Sequence, residues 1–178
     1  MKFFYELYKI KYDFKVYSNN LSIYHVPVII LFSHTFHLVV CYRVGKALAS
    51  IKFIGIFFRY FFEYFIRIFF SSDISLKSTI GRGLKFEHGH DIVIGADVII
   101  GDNCKILNGV TLGGKDPFLP SSGNQPTIGN NVILSTGSKI LGPIVIGNYV
   151  IVGANSVVLS NIKANVTVVG IPAKVLNK

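Results

Sequence analysis

The sequence predicts a mainly β protein, a parallel β-helix of hexapeptide repeats entered through an N-terminal α-helical segment. Three observations carry this. From Ile94 to Val158 a branched apolar residue returns every six positions: Ile94, Ile100, Ile106 and Leu112, then Ile128, Leu134, Ile140, Ile146, Val152 and Val158. A glycine directly follows many of them, as at Gly95, Gly101, Gly129 and Gly147, and the turn-forming pairs Asp102-Asn103 and Asn130-Asn131 punctuate the units. Four positions after each lead residue stands another small or apolar side chain, such as Val98, Cys104, Val132 or Ser138. A period of six fits neither a helix nor a simple alternating strand, so each unit reads as one short strand and one corner. Three units close a triangular coil with the lead residues stacked inside it. A β-sandwich would need strands and turns spaced at roughly 8–12 residues, which this pattern does not show.

The register breaks twice. Ile74, Ile80 and Phe86 keep the period, yet Phe86 to Ile94 is eight residues and Leu112 to Ile128 is sixteen. Two extra residues therefore enter beside His88. The second break carries Gly113 to Thr127, rich in Gly, Pro, Ser and Asn, which must loop outward from the coil. A regular stack gains nothing from such excursions, and function is expected at them.

Ahead of the coils, residues 1–72 read as a helical segment and 73–178 as the β-helix with its 113–127 loop and a C-terminal tail. No charged residue occurs from Val16 to Tyr42. Histidines, Asn19-Asn20 and Pro27 interrupt that run, and its densest apolar part, Val26 to Phe32, is too short to span a membrane. It is read as a short piece to Phe32 and then a helix from Ser33, its cap, to Ala49, with a true span as the alternative. A second helix is expected over Phe53 to Phe70, where ten of eighteen residues are Phe or Tyr. Arg59, Glu63 and Arg67 fall on one stripe at spacings that allow them to pair. The other faces are apolar and need a cover, either neighbouring subunits or the headgroup layer of a membrane.

The chain has 178 residues, 18 Lys and Arg against 9 acids, and a net charge of +9, which favours an anionic partner. Its cations are scattered and form no nucleic-acid motif, so no nucleic-acid partner is expected. Cys41 and Cys104 stand apart in unlike surroundings and read as reduced packing residues. The start Met1-Lys2-Phe3-Phe4-Tyr5-Glu6 lacks the features of a signal peptide, so a cytoplasmic location is expected, with the aromatic helices at the inner face of the membrane as a variant of it.

The stretch Asp73-Ile-Ser-Leu-Lys-Ser-Thr-Ile-Gly-Arg-Gly-Leu-Lys-Phe-Glu-His-Gly-His-Asp closely resembles the serine acetyltransferase branch of the hexapeptide-repeat acyltransferases. The likeness continues through Val110-Thr-Leu-Gly-Gly, Pro126-Thr-Ile-Gly-Asn-Asn-Val, Lys139-Ile-Leu-Gly, Gly153-Ala-Asn-Ser-Val-Val and Gly170-Ile-Pro-Ala-Lys. The resemblance implies a left-handed helix, acetyl-coenzyme A as co-substrate, a homotrimer with the site between subunits, and no metal. Higher oligomers would form through the N-terminal helices. Acyl transfer to a hydroxyl needs a base active near neutrality, which suits histidine. By resemblance that base is His88, and Asp73 holds the carboxylate position that orients it. Glu87 is the adjacent alternative. His90, two residues on, raises a zinc reading, but the remaining histidines, His25, His34 and His37, all lie in the helical segment.

For the cofactor, Gly113, Gly114, Thr136, Gly137, Ala154 and Asn155 match positions where the family's pantetheine arm lies along coil edges. Lys139 and Lys174 are the candidates for its phosphates. Glu87, His90, Asn124 and Gln125 are the candidates for acceptor binding. Serine acetyltransferases carry an Arg-His pair where this chain has Asn124-Gln125 and are longer, with a larger helical domain ahead of the coils, whereas similar short relatives are found among enzymes that O-acetylate surface polysaccharides. Loss of a cation for serine's carboxylate favours a sugar hydroxyl, as in capsule or O-antigen O-acetylation. L-serine is the alternative acceptor, and a noncatalytic scaffold the alternative of another class. No Ser or Cys stands beside His88 in a nucleophile motif, so direct attack without an acyl-enzyme is expected.

Overall fold

The structure, a computed structural model, describes residues 2–19, 21–116 and 118–176. From Asp73 onward the chain winds into a triangular column of short parallel strands. The first face stacks Asp73–Ile74, Val93–Ile94, Thr111–Gly113, Lys139–Leu141 and Val157–Val158. The second stacks Thr79–Ile80, Ile99–Ile100, Thr127–Ile128 and Val145–Ile146. The third runs from Lys85–Phe86 through Lys105–Ile106, Ile133–Leu134 and Ile151–Val152 to Thr167–Gly170, and closes with antiparallel Ala173–Val175.

In every two-residue rung the second residue points inward and is buried, so Ile74, Ile80, Phe86, Ile94, Ile100 and Ile106 form one continuous core with the later lead residues. The regular coils take eighteen residues, as from Val93 to Thr111 and from Lys139 to Val157. The first takes twenty, Asp73 pairing with Val93, because the two added residues sit at His88. The outward loop lengthens one coil to twenty-eight, Ile99 pairing with Thr127. Two of the three corners need a left-handed backbone, and Asp91, Asn103, Asn131, Asn155 and Gly137 supply it with φ of 55° to 72°.

Among the described residues four α-helices precede the column: α1 (Lys2–Ser18), α2 (Val26–Phe32), α3 (His34–Ala49) and α4 (Gly55–Phe70). Ser33 caps α3, its Oγ accepting from Phe36 N at 3.3 Å. No described helix is long and apolar enough to cross a membrane by itself, and α2 meets α3 at a bend of 66°. The sequence reading missed α1 because its buried face is polar: Glu6, Lys9, Asp13 and Tyr17 turn inward while Phe4, Tyr5 and Tyr8 are exposed.

The reason lies in the first coil. It has no coil beneath it, so its lower backbone edge needs hydrogen-bond partners from elsewhere. Asp13 Oδ1 accepts from Leu84 N at 2.8 Å, Lys9 Nζ and Arg43 donate to Ile80 O at 2.9 Å each, and Tyr17 OH donates to Phe86 O at 3.0 Å. Tyr42 OH reaches Ser78 O at 2.9 Å, and Glu63 Oε1 accepts from Leu76 N at 2.9 Å. Arg43 is fully buried and is neutralised by Asp13 at 2.8 Å and Glu6 at 3.4 Å. The Arg59–Glu63–Arg67 pairing expected along α4 does not form: Glu63 and Arg67 turn to the column instead, because its unpaired edge offers partners that a neighbouring helical turn does not.

Candidate active site

The turns that carry the chain from the third face to the first stack into one edge of the column. On it, coil above coil, lie Glu87 to Asp91, then Asn108-Gly109, then Thr136-Gly137, then Ala154-Asn155. Hydrogen bonds run up this edge: Gly109 N to His90 O at 3.3 Å, Gly137 N to Asn108 O at 2.9 Å and Asn155 N to Thr136 O at 2.9 Å. His88 and six other residues singled out in the sequence (Glu87, His90, Thr136, Gly137, Ala154 and Asn155), spread over sixty-nine positions (87 to 155), are gathered here by the stacking of the coils.

The two added residues let the His88 turn bulge outward. It is pinned by Asp91 N to Ser71 O at 2.8 Å and by Asp73 N to Ile92 O at 2.8 Å, which set it directly over the start of the first face. His88 and His90 are both exposed. Neither ring makes a hydrogen bond among the described residues, and no hydrogen bond joins His88 to Asp73. Asp73 Oδ1 instead accepts from Arg67 Nη2 of α4 at 2.8 Å, in an exposed ion pair. Arg67 is a candidate that sequence reasoning missed: its helical spacing from Glu63 pointed to a partner on its own helix, whereas it meets the candidate carboxylate Asp73.

Glu87 does not turn to His88. Its Oε1 is paired with Lys105 Nζ at 2.7 Å and Lys85 Nζ at 3.1 Å along the third face. Partial burial raises its carboxyl, but hydrogen bonds from Lys105 and Lys85 outweigh this and hold it below the usual carboxylate range. Lys139 Nζ donates to Gly109 O at 2.6 Å and to Thr111 Oγ1 at 3.0 Å, so two of its three protons brace the coil below. Lys174 is exposed on the last hairpin.

Gly113, Gly114, Asn124 and Gln125 lie on the next corner, where the first face gives way to the second. Asn124 Nδ2 donates to Pro120 O at 2.7 Å and Ser122 O at 3.3 Å, within its own loop. Gln125 Oε1 accepts from Asp97 N at 2.7 Å and fastens the loop to the coil below. The glycines differ in their reasons. Gly137 has φ +72° and a side chain there would strike Asn155, whereas a Cβ on Gly113 would meet no atom of the described residues within 4 Å. Nothing among the described residues uses the space beside Gly113, which fits close approach of a ligand such as the pantetheine arm of coenzyme A.

Burial pushes the Cys41 thiol up to about 12 and the Cys104 thiol up to about 11, so neither is a thiolate near neutrality. Among the described residues no group of three or more His, Cys, Asp or Glu is arranged to hold a metal ion.

Residues 125–160 match the bacterial transferase hexapeptide family model, which describes six repeats. Over 142 residues, 80% of this chain and 81% of the relative, the sequence is 39% identical to serine acetyltransferase of Helicobacter pylori strain J99. The chain belongs to the serine acetyltransferase family. The crystal structure of the Neisseria gonorrhoeae serine acetyltransferase superposes with a TM-score of 0.86 at 30% identity, over 98% of this chain and 66% of that one. Serine acetyltransferase of Brucella abortus in complex with coenzyme A superposes with 0.85 at 29% identity, over 97% and 68%. The column is thus the left-handed parallel β-helix of these acyltransferases, and the protein is an acetyl-coenzyme A dependent O-acetyltransferase.

These relatives overturn the sugar hydroxyl of a surface polysaccharide as acceptor. A shared segment that is 80% of this chain and 81% of the Helicobacter relative means the two are nearly equal in length, so a short helical lead-in does not mark a glycan enzyme. Asn124 and Gln125 make hydrogen bonds within the loop and to the coil below, so their identity has a structural reason and does not by itself indicate a neutral acceptor.

Proposed function

We propose that this chain transfers the acetyl group of acetyl-coenzyme A to the hydroxyl of L-serine. The observation that carries this is the 39% identity to a serine acetyltransferase over four-fifths of both chains, with Asp73 and His88 held at one edge of the column. Acetyl-coenzyme A supplies an activated thioester. The chain supplies the rest. His88, exposed on its bulged turn, takes the proton from the serine hydroxyl and returns it to the departing sulfur, and Asp73 stabilises the imidazolium between these steps. Gly113 and the backbone at Thr136 and Ala154 line the way in for the pantetheine arm.

The missing Arg-His pair leaves serine's carboxylate in need of another cation, and Arg67 meets that need. Its guanidinium reaches Asp73 at 2.8 Å while remaining solvent-exposed, so further donors stay available for an incoming carboxylate. The glycine corner and the His88 edge lie at opposite ends of the first face, which supports a site completed by a second copy in a trimer. Outward Val93, Ile99, Val145 and Ile151 offer the apolar contact for that packing. The test is release of coenzyme A thiol from acetyl-coenzyme A with L-serine, with D-serine and simple sugars as comparators, beside the mass in solution. Absence of turnover with L-serine would sink the reading.

A further inference from the structure

A cavity of about 540 Å³ opens where α1, the end of α3, α4 and the first coil meet. Its wall carries five cations, Lys2, Lys9, Lys46, Arg59 and Lys77, against one carboxylate, Glu6. Glu6 is already shared by Lys9 at 2.9 Å and the buried Arg43 at 3.4 Å. Lys46 Nζ is held by the carbonyls of Leu76, at 3.0 Å, and Ser78, which accept hydrogen bonds but cancel no charge. Burial, and then the charges of Lys9, Arg43 and Lys2, push the Lys46 ammonium below its ordinary value against the pull of Glu6. Arg59 is the telling member. Its Nε is buried and has no hydrogen-bond partner among the described residues, and its guanidinium lies 4.5 Å from the Tyr60 ring centroid. A buried N–H donor without an acceptor is costly even where the rest of the guanidinium reaches solvent, and a concave wall with a large excess of one sign concentrates its field on whatever enters.

We propose that this cavity binds a small phosphate-bearing anion, with Arg59, Lys46 and Lys77 as its donors. A phosphate monoester carries close to two negative charges and three acceptor oxygens, which matches a wall of several cations better than one carboxylate does. The cavity lies within the range that accommodates small metabolites. It is separate from the acetyl-transfer edge: Lys77 stands on the turn from the first face to the second of the lowest coil. A bound anion would tie α1, α3 and α4 to the coil on which Asp73 stands. Its source is either a free phosphate ester or a lipid headgroup, since Phe57 and Phe61 are exposed on the helix that carries Arg59.

The test uses the full chain, once alone and once saturated with coenzyme A, so that phosphate binding at the cavity is separated from binding in the transfer groove. Inorganic phosphate and glycerol phosphate are titrated against sodium chloride of equal ionic strength, with melting temperature and calorimetric heat as readouts. Phosphatidylcholine vesicles with and without phosphatidic acid form the second arm. We expect phosphate to raise the melting temperature beyond the salt control. Arg59→Gln and Lys77→Gln should each weaken binding roughly tenfold, as loss of one charge-assisted contact does, while turnover of serine is kept. Binding of soluble phosphate that the variants weaken supports a free ligand; vesicle binding alone, lost in the variants, supports a headgroup. No response to either probe, or equal binding by wild type and variants, overturns the proposal. Loss of serine turnover in the wild type would count against the function above and leave this test unaffected.

Discussion

Arg67 of α4 and Asp73 of the first coil are joined at 2.8 Å, which places a cation of the helical segment at the carboxylate that faces the His88 edge. On the roles proposed above, serine binding for Arg67 and support of the base for Asp73, their losses should separate. Arg67→Gln is expected to raise KM for L-serine with KM for acetyl-coenzyme A unchanged. Asp73→Asn is expected to lower kcat. Steady-state kinetics with each substrate varied in turn decides this, and equal effects of both variants on kcat alone would reduce Arg67 to a tether for α4.

His88→Ala should lower kcat/KM by roughly 10²–10⁴, the usual worth of a positioned general base. His88 is exposed and makes no side-chain hydrogen bond among the described residues, so the melting temperature should stay with the wild type. Thiol release and thermal denaturation on the same preparation check both halves. Full activity in the variant would remove His88 from the mechanism.

Arg43 is fully buried between Asp13 and the backbone of the first coil. Arg43→Met leaves the Asp13 carboxylate buried without its counter-charge, at a cost of roughly 3–5 kcal/mol. Urea unfolding at neutral pH measures it. A loss below ~1 kcal/mol would mean that water or rearrangement of Lys9 satisfies Asp13.

The two kinds of glycine should respond oppositely. Gly137→Ala forces a side chain into a left-handed backbone and against Asn155, so stability should fall by about 1–2 kcal/mol or more. Gly113→Ala meets nothing among the described residues and should leave stability within ~0.5 kcal/mol while raising KM for acetyl-coenzyme A. An unchanged KM would take Gly113 out of the cofactor path.

Glu87 predicts an acid-side effect. Its carboxyl lies below the usual range, so the folded state binds that proton less readily than the unfolded chain does. Its stabilisation is therefore complete above the ordinary carboxylate pKa of about 4.3 and is lost as pH falls through the lowered folded value. Glu87→Gln should flatten that part of a stability-versus-pH curve measured by thermal melts from neutral pH downward. An unaltered acid limb would show that Lys85 and Lys105 leave Glu87 essentially solvated.

The column was legible in the sequence because an inward-facing side chain every six residues is a requirement of each coil taken alone. The two register breaks were legible for the same reason: against a strict period an insertion shows as a count, and both counts reappear as coils of twenty and twenty-eight residues. Ser33 as a cap and the aromatic run of α4 were local signals too, and both helices stand within two residues of their expected starts.

What the sequence by itself determined was therefore the β-helix, its breaks and, through ordered motifs, its family. The tertiary structure alone decided the rest, because it depends on what faces the unpaired edge of the first coil. That edge demands hydrogen bonds, so α1 turns Glu6, Lys9, Asp13 and Tyr17 inward and its aromatics outward, inverting the pattern by which helices are recognised. The same demand draws Glu63 to Leu76, leaving Arg67 with Asp73 and Arg59 without a partner for its buried Nε. No periodicity within a helix records which of its neighbours has backbone groups to satisfy.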